Sequence, residues 1–145
     1  MNYTSRFGLE FNPFIKRTND ILIETSNCSE AMARLAYRTT TKGMDLITGE
    51  PGCGKTTIIR NWVKGLNQAA YKVVYLPLST LTVIESYRQL AQSFNLEARY
   101  KKYENFNMIQ EAIRRLSIEK KITPVIIFDE ANHISKAFHN NLKII

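Results

Sequence analysis

Gly49-Glu50-Pro51-Gly52-Cys53-Gly54-Lys55-Thr56 satisfies the pattern GxxxxGK[ST], and its reading decides the fold. Glycines let the backbone turn so that successive N–H groups point into one cavity, which suits an anion. A helix that follows adds about half a positive charge at its N-terminus, beside that cavity. On this reading Gly49, Glu50, Pro51, Gly52, Cys53, Gly54, Lys55, Thr56 and Thr57 wrap the phosphates of a nucleotide such as ATP. Lys55 reaches the β and γ phosphates, and the Thr56 hydroxyl coordinates Mg²⁺, a hard ion that prefers oxygen. Cys53 sits at a variable position of the loop and reads as a tolerated small residue; a redox switch that blocks nucleotide is the alternative.

The pattern gains weight from its flanks. Asp45-Leu46-Ile47-Thr48 reads as a short buried strand, and residues 55–66 read as a helix with Ile58, Ile59, Trp62 and Leu66 inside. Before them, residues 29–41 have helical spacing through Met32, Leu35 and Ala36, with Ser26 or Ser29 as cap and Gly43 as stop. After them come a strand over residues 73–78, a helix over 82–94, a polar connection over 99–103 and an amphipathic helix over 106–120. Val125-Ile126-Ile127-Phe128 is a fully apolar strand, and a last helical piece runs from Ser135. Strands alternating with helices predict parallel α/β layers, with helices on both faces of the sheet.

The apolar strand is followed by Asp129-Glu130. Such a strand delivers its carboxylates at the C-terminal end, where ligands bind in open α/β sheets. Asp129 is the candidate Mg²⁺ ligand, directly or through water. Glu130 is the candidate catalytic base that orients and deprotonates water, with Lys55 as its catalytic partner on the phosphates. Asn132 and His133 follow directly; Asn132 is a candidate sensor of the γ-phosphate, with a solvated loop residue as the alternative. His139 reads as a surface histidine.

Composition limits the function classes. The chain has 145 residues, of which 44% are apolar and 23% charged, which fits one globular domain. It holds no apolar run of the ~20 residues that a membrane-spanning helix needs, so no membrane insertion is expected. The N-terminal Met1-Asn2-Tyr3 opens no export signal, and Cys28 and Cys53 form no CxxC pair, so two free thiols in the cytoplasm are expected. The net charge is +7, spread along the chain: ten basic and six acidic residues in 1–72, ten and seven in 73–145. That charge permits a nucleic-acid or anionic-lipid partner, and a solvated surface equally. Arg99-Tyr100-Lys101-Lys102-Tyr103 interleaves basic and aromatic residues, so Arg99, Lys101 and Lys102 are candidate DNA contacts. A charged, solvated loop produces the same string.

The loop together with Asp129-Glu130 resembles the AAA+ branch of P-loop ATPases. Three further stretches narrow the resemblance: Phe7-Gly8-Leu9-Glu10-Phe11-Asn12-Pro13-Phe14, Val74-Tyr75-Leu76-Pro77-Leu78-Ser79-Thr80-Leu81-Thr82, and Asp129-Glu130-Ala131-Asn132-His133. Together they are similar to bacterial ATPases grouped with the general-secretion-pathway A protein, and to the helper ATPases encoded beside transposases. The resemblance implies a three-layer α/β P-loop NTPase of AAA+ type with a parallel sheet in the order 5-1-4-3-2. It implies an ATP hydrolase that uses Mg²⁺, assembles as a homo-oligomer, binds double-stranded DNA and recruits a transposase or other partner protein. A secretion-associated ATPase and a partner-binding module without turnover are the alternatives. The resemblance divides the chain into an N-terminal arm over 1–27, with Phe11 to Phe14 near the adenine, and a nucleotide-binding domain over 28–145. It makes Ser79, at the end of the second strand, a candidate switch that restrains Glu130. The last residues fall in the helix after Asp129-Glu130, so a domain cut short of its C-terminal strands, sensor, arginine fingers and lid is expected.

Overall fold

Two runs rich in β-branched and aromatic residues, YKVVYLP and TPVIIFD, make the sheet. They are strands β1 (Tyr71–Pro77) and β2 (Thr123–Asp129), paired in parallel from Tyr71 opposite Thr123 to Pro77 opposite Asp129. The structure is a computed structural model and describes residues 6–8, 25–77 and 82–133, with Phe138 and Asn140. Each proline sits near a strand end, where a missing N–H is tolerated. Parallel neighbours need a crossover. Here it is helical, through α3 (Val83–Ser93) and α4 (Lys102–Arg114).

Helices α1 (Ser26–Thr41) and α2 (Lys55–Gly65) come earlier in the chain. The chain divides into two compact units, Met1–Trp62 and Val63–Ile145.

In the second unit the core lies on one face of the sheet. Val74 and Leu76 of β1 are buried with Tyr87, Leu90, Ala91 and Phe94 of the α3 segment and Ile109 of α4. Ile126 and Phe128 of β2, which share that face by register, pack against the same cluster. Phe138 completes it, edge-on to Tyr87 at 4.9 Å and to Phe128 at 5.8 Å between ring centroids. Each fully buried Leu or Ile contributes about 1.5–3 kcal/mol over its exposed state. Thr82 caps α3 with a reciprocal pair: the Glu85 N–H donates to its hydroxyl, and its own N–H donates to Glu85 Oε2 at 2.8 Å.

Several expectations change. Helix α4 begins at Lys102 rather than 106, so the last two residues of the expected connection form its first turn. Its end widens into a π-helical turn (Arg115–Glu119). The cap of α1 is Thr25, whose hydroxyl accepts from the Cys28 N–H at 3.2 Å, one residue ahead of Ser26. The helix stops as expected before Gly43, which has φ +120°.

The largest change is at residues 45–48, expected as a buried strand. They join no ladder among the described residues, and Leu46 is 78% exposed. A strand needs a partner for its backbone groups. The order implied by the resemblance puts further strands beside this one, and no described segment supplies them. The same order makes the next two strands neighbours, and β1 and β2 are indeed paired. The arm at Phe11 to Phe14, Ser79, and the last helical piece apart from Phe138 and Asn140 lie outside the described residues.

Candidate functional site

In the first unit, the turn over residues 49–54 is built around two glycines in left-handed backbone: Gly52 has φ +81° and Gly54 has φ +86°. Side chains other than glycine rarely adopt that region. Gly49 is required for a different reason, because a Cβ there would lie 2.8 Å from Cys53 Sγ. The Cys53 N–H donates to Glu50 O at 3.3 Å and closes the turn. Helix α2 then starts at Lys55, with its first internal bond from the Ile58 N–H to Gly54 O at 2.9 Å.

Lys55 is folded over the turn. Its ammonium donates to Gly49 O and to Glu50 O, each at 2.8 Å, and lies 3.7 Å from Cys53 Sγ. Thr56 and Thr57 are half-buried in the first turn of α2, and Pro51 is exposed at the tip. Left-handed glycines, a helix N-terminus and a lysine come together in this short turn. That set of groups suits a phosphate chain, and the lysine has neutral carbonyl partners that an anion can outcompete.

The segment entering the turn is held by an ion pair. Arg38 of α1 grips Asp45 with both branches of its guanidinium, Nε to Oδ2 at 2.7 Å and Nη2 to Oδ1 at 2.8 Å. A third bond runs from Nη1 to Lys42 O at 3.0 Å. The hydrogen bond to Asp45 raises the Arg38 pKa above its ordinary value. Sequence reading missed this pair: Asp45 lies beyond the end of α1 at Thr41, so the helical period does not carry across to it.

In the second unit, Asp129 is the last residue of β2 and is half-buried. Its Oδ1 accepts the Glu130 N–H at 3.0 Å, and its Oδ2 accepts the Tyr75 hydroxyl from β1. Glu130 has φ +58°, a left-handed backbone unusual for a side chain of its size, and it is exposed. Asn132 is exposed on the short 3₁₀ turn Ala131–His133. Asp129, Glu130 and Asn132 therefore occupy one strand end, as the sequence implied. Among the described residues no group of three or more His, Cys, Asp and Glu converges as a metal site. Thr56 in the first unit and Asp129 in the second each offer an oxygen, the donor type that Mg²⁺ prefers.

The basic and aromatic string lies on a built loop. The fully buried Asn105 accepts the Arg99 N–H at 2.7 Å and donates to Arg99 O at 2.8 Å and Lys101 O at 3.2 Å. Tyr100 is 83% exposed with the Arg88 guanidinium 5.5 Å from its ring centre. Lys101 lies 5.7 Å from the centre of the exposed Tyr103 ring, and Lys102 turns inward to 5.5 Å from the ring of the buried Tyr87. Arg99 is exposed beside Glu97, at 3.9 Å.

No helix among the described residues is long and apolar enough to cross a membrane. A family model described as an AAA domain matches residues 38–145, well over half of the chain. No curated protein and no solved structure matches it.

Proposed function

From the premise that this chain belongs to the AAA domain family of P-loop nucleotide-binding ATPases, we propose that it binds Mg-ATP in the turn over residues 49–57 and hydrolyses it with Glu130 as base. The observation that carries this reading is the turn itself, with Gly52 and Gly54 in left-handed backbone and Lys55 folded across it. Lys55 would exchange its two carbonyl partners for β and γ phosphate oxygens. Thr56 and Asp129 would hold Mg²⁺, which supplies charge neutralisation on the β and γ oxygens. Glu130 would take the proton of the attacking water, and Asn132 would report on the γ-phosphate.

The fine reading is that ATP binding is coupled to duplex DNA, as in a helper ATPase of transposition working with a transposase and as a homo-oligomer. It draws on the net charge of +7 and on the exposed Arg99, Tyr100 and Lys101 held up by Asn105. A second reading, partner binding without turnover, draws on residues 45–48, which precede the turn and join no ladder among the described residues.

The deciding experiment is equilibrium Mg-ATP binding by the chain and by Lys55→Ala. Binding lost in the variant supports the proposal, and no binding by either overturns it. Glu130→Gln separates turnover from binding: it keeps the nucleotide and loses hydrolysis, whereas equal hydrolysis in the variant removes Glu130 from its role. For DNA, Lys101→Ala should weaken duplex binding across unrelated sequences and flatten its salt dependence by about one unit of log–log slope.

A further inference from the structure

Asp129 is gripped from two sides, by the Glu130 N–H at Oδ1 and by the Tyr75 hydroxyl at Oδ2. We infer that Tyr75 is a positioning residue for the Mg²⁺ carboxylate, an inference that rests on the nucleotide reading above. The geometry follows from the ladder. Tyr75 pairs with Ile127 and Pro77 pairs with Asp129, so Tyr75 and Asp129 share a face on the diagonal of the two strands. That separation is within reach of an aromatic side chain. The opposite face carries Val74 and Leu76 into the core, so the backbone that aims Tyr75 is anchored by buried packing.

A carboxylate offers about four lone-pair sites, so a donor on each oxygen is compatible with a metal or its water on the same group. Bonds to both oxygens restrict rotation about the terminal bond and so fix the plane of the carboxylate. Groups of this kind, bonded to a metal's ligand rather than to the metal, typically change metal affinity about 10–100-fold when removed. Tyr75 also explains why the metal side of the site begins on β1 as well as β2. A phenylalanine would satisfy the strand pattern equally, but it would leave Asp129 Oδ2 without this donor.

The test uses Tyr75→Phe in the full chain. In the metal-free, nucleotide-free protein, the Asp129 side-chain carboxyl ¹³C resonance, assigned by its loss in Asp129→Asn, should shift. Labelling the unmutated chain with 3-fluorotyrosine, which changes hydroxyl acidity with every side chain in place, should shift it too and serves where the Phe variant does not fold. In binding titrations, the Mg²⁺ concentration that half-restores ATP affinity should rise about 10-fold, with ATP binding in EDTA unchanged. In the Asp129→Asn background, Tyr75→Phe should add nothing further. An unmoved Asp129 resonance, or an unmoved Mg²⁺ dependence in a folded variant, overturns the role of Tyr75 while Lys55-dependent ATP binding stands. Absence of ATP binding in the parent chain overturns the nucleotide reading and takes this role with it.

Discussion

Glu130 leaves β2 with φ +58°, and that single angle sets a test of what the residue is for. A left-handed backbone costs an ordinary residue roughly 1–2 kcal/mol, and replacing it by glycine returns about 0.4–1 kcal/mol to the unfolded chain as entropy. Glu130→Gly is therefore expected to leave stability unchanged or raise it by up to about 1 kcal/mol, read by denaturant unfolding, while hydrolysis is lost. A clear loss of stability would show that the carboxylate serves the fold. The neighbouring argument at Gly49 concerns space. An alanine Cβ would meet Cys53 Sγ at 2.8 Å, so Gly49→Ala should impair nucleotide binding and regain part of it when Cys53→Ala is added. The motif residues were legible because each glycine and the lysine answer a local requirement. Tyr75 was not, because it and Asp129 are 54 residues apart and only the register of two strands joins them.

Among the elements, α3 shows how capping and pH connect. The Thr82 hydroxyl and backbone N–H, bonded to the Glu85 carboxylate, hold its pKa below the ordinary value of 4.5. A lowered pKa in the folded state means that the stabilisation is present above the unfolded value and is lost as pH falls through the folded one. The stability difference between the parent chain and Glu85→Gln should thus be largest above pH 5 or so and should shrink as acid is added. A difference that grows in acid would contradict the capping role. The sequence shows a helix over 82–94, whereas its Thr82–Glu85 cap is read from the bonds in the structure. Helix α4 was harder, since its first turn from Lys102 is polar and is fixed by the buried Asn105, whose bonds to the preceding loop leave no periodic trace.

For the molecule as a whole, the two units make different predictions. The second unit rests on one hydrophobic cluster, in which Leu90 and Ile109 are fully buried. Leu90→Ala should cost about 2–5 kcal/mol, measured by urea unfolding. Tyr100→Ala, at a site 83% exposed, should stay within about 0.5 kcal/mol. Under the proposed coupling to DNA, Tyr100→Ala should instead weaken duplex binding in a titration at low salt. Among the described residues of the first unit, the turn over residues 49–54 is held by local bonds and is preceded by the Arg38–Asp45 grip.

The sequence by itself determined the glycine-rich turn over residues 49–54, the two parallel strands with their intervening helices, and the placing of Asp129 and Glu130 at a strand end. Each of these is written in neighbouring residues, as a φ that only glycine adopts easily, an apolar run or a helical period. The tertiary structure decided the pairing of Tyr75 with Asp129, the clasp of Arg38 on Asp45 and the burial of Asn105. It also decided that residues 45–48, apolar enough for a strand, join no ladder among the described residues. A ladder is a property of two segments, and an apolar run becomes a strand only where a second one lies beside it to take its hydrogen bonds.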